Sequence, residues 1–351
     1  MINARRITLK DVANHAKLSL AGVSMALRDH PSLPERTIRR VKRIAEKIGY
    51  VPDPALCALA AHRSRLKISR SYSVIGLISN WEKADGWTRV ASAKQVIEGA
   101  KARALSLGYS VQHFWARETR LSPARFSSIL EARGIRGLIL APLERPDDVL
   151  NLAWEKFSVV TIERALHYSR FLHVMPNHYS DMMLCWDRLR EGGYTRVGLI
   201  VRKDLTVRCG HKWQAAHSYA QSLVPNPFDR IPTLELEGEN QVGKIRAWLR
   251  KYRPEVVINR SDEFQAAAAA ENLRIPEDVG YISLNVADEE IPNAAGIFQP
   301  RTAMGTTAVD MLNNLLLHNQ RGFQAVSLGS QLDGEWRGGA TLLPLNPAAA
   351  E

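Results

Sequence analysis

The chain has 351 residues, of which 45% are hydrophobic and 24% charged, so it is long enough for two or three ordinary domains and too apolar for disorder to dominate. Its net charge of +11 is localised: residues 1–71 carry 15 Lys and Arg against 5 Asp and Glu, and this +10 leaves the remainder near neutrality and points to a polyanion partner for the N-terminal part alone. Three cysteines without disulfide or zinc spacing (Cys57, Cys185, Cys209), a start without a signal-like apolar segment and the lack of any ~18-residue apolar run predict a cytoplasmic protein off the membrane, with no metal and no cofactor.

In chain order, residues 7–49 predict three short helices. Thr8 and Asp11 have the spacing of a capping box, and Leu9, Val12 and Ala13 follow at helical period. A turn of a few residues leads to a second start at Ser19, continued by Val23, Ala26 and Leu27. The third helix starts at Pro34, repeats Ile38, Val41, Ala45 and Ile48, and stops at Gly49. Two short helices across a tight turn, braced by a longer third, make a helix-turn-helix.

Residues 50–73 change character: two prolines, an alanine-rich stretch with a short predicted helix over 54–62, then an Arg/Ser/Lys run. Beyond them, apolar runs at 74–78, 137–141, 159–162, 197–201, 256–258 and 281–284 read as buried parallel strands. Amphipathic segments at 93–107, 123–133, 180–191 and 307–318 read as helices between them, so this part is α/β and doubly wound. The alanine run at 266–270 reads as plain helix.

TLKDVANHAKLSLAGVSMALRDHPSLPERTIRRVKRIAEKIGYVPDP is similar to the headpiece of the lactose-repressor (LacI) family: capping, turn, second helix and the closing Gly-Tyr-x-Pro all fall in register. Further segments, among them ILEARGIRGLILAPL, RLREGGYTRVGLI, RPEVVINRSDEF and RIPEDVGYISLN, are similar to the family's sensor domain, so the resemblance spans essentially the whole chain. It implies an all-α helix-turn-helix DNA-binding domain over 1–52, a hinge helix and linker over 53–71, and a periplasmic-binding-protein-like domain over 72–351 that binds effector and dimerises. That last domain would have two discontinuous α/β lobes, exchanged through several crossovers around a ligand cleft.

A recognition helix meets base edges with its early residues, here Ser19, Leu20, Ala21, Ser24 and Met25. The family usually has polar residues at the positions of Leu20 and Ala21 and an Arg at that of Met25, so this chain would read thymine methyls and shape more than guanine. Arg28, Thr37 and Tyr50 match family positions that contact phosphate or neighbouring bases. Leu59 matches the hinge leucine that wedges into the minor groove from two subunits and kinks the duplex. The partners implied are a pseudo-palindromic duplex, a second copy of the chain and a small molecule.

For the cleft, the resemblance implies contacts at strand C-termini and crossovers: Asn80, Trp81, Glu163, Trp213, Ser261, Asp262, Asn285 and Arg301. Trp213 stands where many members have Arg and Asn285 where they have Asp, which implies a neutral effector, a sugar or sugar derivative. Trp81, Trp87, Trp115 and Trp213 near strand ends suit stacking on a sugar face, and His211 and His217 are further candidates for the cleft wall.

The whole reads as a sequence-specific transcription regulator, a repressor, whose operator affinity an effector modulates. Two other classes share an α/β frame. A dehydrogenase would need GxGxxG after the first strand, where VIGLISNWEK stands, and no P-loop, HExxH or GxSxG occurs elsewhere. A solute-binding sensor without operator control fits the C-terminal part but leaves the basic headpiece without a purpose.

Overall fold

A computed structural model describes residues 7–27, 32–50, 73–118, 122–145, 148–163, 170–259, 263–288 and 291–343. The hinge segment expected over 53–71, with Leu59, lies outside them, as do Arg28, Ser261 and Asp262.

The first two helices start at side-chain caps, and the third starts after Pro34 without one and closes on a left-handed glycine. Helix α1 (Leu9–Ala16) opens on Thr8, whose Oγ1 accepts from the Asp11 amide at 3.4 Å while Asp11 Oδ2 accepts the Thr8 amide at 2.8 Å. Lys17 turns the chain at φ 52°. Helix α2 (Leu20–Leu27) follows directly, with Ser19 Oγ accepting the Gly22 amide at 3.1 Å. Helix α3 (Glu35–Lys47) ends where Gly49 takes φ 72° and the Tyr50 amide reaches back to the Ala45 carbonyl at 2.9 Å, the closure that a left-handed residue after a helix allows. Val12, Ala13, Ala16, Val23, Ala26, Val41 and Ala45 are buried between the three.

The rest is built on two six-stranded sheets. The first has the order β11-β5-β4-β3-β1-β2, all parallel: β1 (Ser73–Ser79), β2 (Tyr109–Trp115), β3 (Gly137–Leu140), β4 (Ser158–Ile162), β5 (Leu172–Pro176) and β11 (Gly329–Leu332). The second has the order β12-β10-β9-β8-β6-β7: β6 (Val197–Arg202), β7 (Leu234–Leu236), β8 (Val256–Asn259), β9 (Gly280–Ser283), β10 (Gly296–Phe298) and β12 (Glu335–Arg337), with only β12 antiparallel. The helices are α4 (Gly86–Arg89), α5 (Ala91–Ser106), α6 (Pro123–Ala132), α7 (His178–Glu191), α8 (Lys203–Arg208), α9 (Lys212–Ser222), α10 (Gln241–Tyr252), α11 (Glu263–Ala270) and α12 (Arg301–Leu317). Each sheet is covered on both faces: α5 and α12 against α6 on the first, α7 and α9 against α10 and α11 on the second.

The chain passes between the two lobes three times. It leaves the first sheet after β5 into α7, returns from β10 through residues 299–301 to α12, which packs on α5, β3, β4 and β5, and leaves again between β11 and β12. The six apolar runs all became strands. The six strands that no such run announced are short or lie near sheet edges, as with β2, whose middle is exposed; half-solvated strands carry no continuous apolar signal. Helix α7 starts two residues, and α12 six residues, before the expected 180 and 307. No helix among the described residues is long and apolar enough to cross a membrane.

Candidate DNA interface and effector cavity

On α2 the inward face is filled by Val23 and Ala26, both fully buried, with Leu27 packed beside them. That leaves the expected base-facing residues outside the core: Ser19 and Ala21 are exposed, Leu20 is 49% exposed, and Ser24 and Met25 are half-buried without joining the apolar cluster. Thr37 sits half-buried in the first turn of α3. Tyr50 differs from a free surface contact, because it packs against the headpiece core. The exposed cations Arg36, Arg39, Arg40, Lys42, Arg43 and Lys47 make α3 the most basic of these helices, with Arg40 Nη2 also bracing the end of α1 through the Ala16 carbonyl at 3.2 Å.

Between the lobes lies a cavity of about 180 Å³, walled by Trp81, Trp87, Ser92, Pro142, Glu163 and Arg301 from the first and by His178, Leu205, Arg208, Cys209, Trp213, Asp288 and Gln299 from the second and the crossovers. Trp81 is fixed as a wall: its Nε1 donates to the Pro142 carbonyl at 2.9 Å and its own carbonyl accepts from Trp115 Nε1 at 2.7 Å. Trp213, 4% exposed, stands edge-on to His178 with centroids 4.7 Å apart, and its Nε1 finds no protein acceptor.

Glu163 leaves β4 at φ 57°, a left-handed conformation that costs a non-glycine residue strain and that surrounding structure must hold. Its Oε1 accepts from Arg301 Nη1 at 2.8 Å in a pair whose side chains are only 12% and 10% exposed. Burial pushes the Glu163 carboxyl up, but Arg301, with His178 and Arg208 nearby, outweighs it and holds the group below the usual carboxylate range. Arg301 Nη2 also donates to Gln299 Oε1, and Gln299 Nε2 donates to Asp181 Oδ2 at 3.2 Å. A buried polar chain therefore runs from the cavity to the crossovers.

Two hydrogen bonds span the lobes at the cavity rim. Asp288 Oδ1 accepts the Ser92 amide at the start of α5 at 2.6 Å, where the helix N-terminus favours a carboxylate. Arg208 Nη2 donates to the Glu144 carbonyl at 2.6 Å.

Of the expected effector residues, Trp81, Glu163, Trp213 and Arg301 meet in this cavity. Asn80 and Asn285, 6% and 1% exposed, lie behind the wall; Asn285 acts through Asp288, donating to its Oδ2 at 2.8 Å. His217 and His211 do not reach the cavity. His217 is fully buried beside Trp186, whose Nε1 donates to its Nδ1 at 3.1 Å, and burial pushes its pKa down to about 3, while His211 is exposed at the start of α9. Arg208, His178 and Asp288 were missed, since in sequence they read as ordinary polar residues of short or unrecognised elements.

Residues 8–53 match the family described as bacterial regulatory proteins, lacI family. The chain is 24% identical over 340 residues to the HTH-type transcriptional repressor CytR of Escherichia coli (strain K12), covering 93% of each. Its fold is that of a transcriptional regulator CelR solved with cellobiose, with a TM-score of 0.60 at 17% identity over 96% of this chain and all of that one. It is likewise that of a lac repressor dimer bound to operator and the anti-inducer ONPF, with a TM-score of 0.57 at 18% identity over 97% of this chain and all of that one.

Proposed function

From a chain that belongs to the LacI family of bacterial regulators, we propose a cytoplasmic, homodimeric repressor that binds a pseudo-palindromic operator and changes its operator affinity when a small sugar-like effector enters the cavity. The proposed division is DNA binding by 1–52, a hinge over 53–71 and sensing with dimerisation by 72–351, and the molecule catalyses no reaction. Base contacts are assigned to Ser19, Leu20, Ala21, Ser24 and Met25, phosphate or flanking contacts to Arg28, Thr37 and Tyr50, and the minor-groove wedge to Leu59. Effector contacts are assigned to Trp81, Glu163, Trp213 and Arg301, with Asn80 and Asn285 positioning the wall; the further effector contacts assigned to Ser261 and Asp262 lie outside the described residues.

The observation that carries the reading is the cavity itself, walled by both lobes and crossed at its rim by the Ser92–Asp288 and Arg208–Glu144 bonds. A ligand there changes the free energy of lobe closure, and closure governs how two headpieces present themselves to one duplex. A coupling of about 1–3 kcal/mol changes operator affinity roughly 5-fold to 150-fold. The test is operator binding by the full chain with and without candidate sugars, in wild type and Trp213→Ala. Wild type is expected to bind a palindromic site with a steep salt dependence, and to respond to an effector that the variant no longer senses. Tight ligand binding with no specific DNA binding would establish the solute-sensor alternative instead.

A further inference from the structure

The cavity holds more donors than the protein can satisfy. Arg208 Nε, Arg301 Nε and Trp213 Nε1 are all buried, all belong to wall residues, and none has a protein acceptor. Native proteins leave few such groups, because a buried donor without an acceptor forfeits its hydration. Several acceptors of the same wall are already engaged, Glu163 Oε1 and Gln299 Oε1 by Arg301 and both oxygens of Asp288 by Ser92 and Asn285, so that Glu163 Oε2 is the carboxylate oxygen left over. Arg208 makes its single described bond to a neutral carbonyl, and it takes part in none of the described ion pairs, whereas Arg301 is balanced by Glu163.

This arrangement distinguishes ligand classes. A neutral sugar's hydroxyls can accept from these donors, but each also brings a donor of its own that needs an acceptor on the wall. A carboxylate or phosphate brings acceptors only. Resting on the effector-sensing reading above, we propose that the effector is a sugar-sized acid whose anionic group is held by Arg208, Arg301 and Trp213, with the second oxygen of Glu163 left for a ligand hydroxyl. The two arginines would form charge-assisted bonds, the strong kind, and the indole a third. The expectation of a neutral effector weighed only Trp213 and Asn285, and Arg208 adds the cation that it left out.

The test measures binding by the full chain, by calorimetry and thermal shift, against matched acids and neutral sugars: galacturonate with galactose, gluconate with glucose, and glucose 6-phosphate with glucose. The carboxylate and phosphate arms identify the anionic group. Acids are expected to bind and their neutral counterparts not, with affinity lost roughly 10-fold to 100-fold in Arg208→Gln, the range of a hydrogen bond to a charged group. Because Arg208→Gln also removes the bond to Glu144, Trp213→Phe supplies a second probe that keeps an aromatic ring while removing the indole N–H and part of the ring volume; it is expected to weaken binding of the acids several-fold. Binding of the neutral members alone, binding of none, or acid affinity unchanged in both variants overturns the proposal. Acid binding that leaves operator affinity unaltered supports the anionic site while overturning the regulatory reading on which it rests.

Discussion

Met25 shows how a residue's burial bears on its role. It is half-buried on α2 yet outside the apolar cluster that Val23 and Ala26 complete, so the side chain is free of core duty and lies in the helix assigned to the groove. On the proposed assignment an apolar residue there would read thymine methyls and shape, whereas Arg can take guanine N7 and O6 together, worth about 1–3 kcal/mol of discrimination. Met25→Arg is therefore expected to move the preferred operator toward G·C at one base pair per half-site in a randomised-site selection, with unchanged headpiece stability. An identical selected site would remove Met25 from the interface. At this scale the headpiece was legible because capping and turn chemistry are local, as Thr8, Asp11 and Ser19 show. The cavity was half legible: the family resemblance placed Trp81, Glu163, Trp213 and Arg301 in it, but nothing local to Arg208 or Asp288 announces a partner 64 or 196 residues away.

The pair α5 and α12 carries the first lobe, and it is set by two glycines. A Cβ on Gly99 would lie 2.0 Å from the Thr302 carbonyl oxygen, and one on Gly305 would lie 2.0 Å from that of Val96. The obstruction is backbone in both cases, so no side chain can yield. Around this contact Arg103 pairs with Asp310 at 2.7 Å and Tyr109 bonds Asn313 at 3.2 Å. Gly99→Ala is expected to force the helices apart, with an overpacking cost of about 1–3 kcal/mol or more seen as a lower melting temperature. Since α12 begins at Arg301, the same variant should also weaken effector binding; an unaltered melting temperature would show that the interface is looser than the geometry requires. Small and β-branched residues explain why α12 was expected only from 307: Thr302, Gly305 and Thr306 are poor helix formers, and close packing overrode that preference. The central strands were legible from apolar runs alone, while β7, β10, β11 and β12 are only three or four residues each and gain their order from neighbours.

For the molecule as a whole, the three passages between lobes meet at one carboxylate. Asp181, at the start of α7 after the first passage, accepts from Gln299 Nε2 of the second at 3.2 Å and from the Gly334 amide of the third at 2.8 Å, while Asn177 Nδ2 reaches Asp333 Oδ1 at 2.7 Å. Burial raises the Asp181 pKa from 3.8 to about 6, against the opposing effects of Gly334, Gln299 and Arg301 and with a smaller push from Asp333. A folded pKa above the unfolded one means that this group's contribution to stability is full below the unfolded value and is lost as pH rises to about 6. At neutral pH the ionised carboxylate thus costs roughly 3 kcal/mol relative to its protonated form. His217 has the opposite sign: its pKa is depressed from 6.5 to about 3, so its contribution is present above 6.5 and lost as pH falls. Asp181→Asn removes the first trend and leaves the second. The amide also turns a donor toward Gln299 Nε2, a cost that does not vary with pH. The stability of the variant minus that of wild type, measured by denaturant unfolding between pH 4 and 7, is therefore expected to be most favourable to the variant at pH 7 and to fall by roughly 2 kcal/mol toward pH 4. Because titrating groups not coupled to Asp181 cancel in that difference, a flat difference curve would show that Asp181 is ionised at little cost and that the junction of the three passages is more polar than its burial implies.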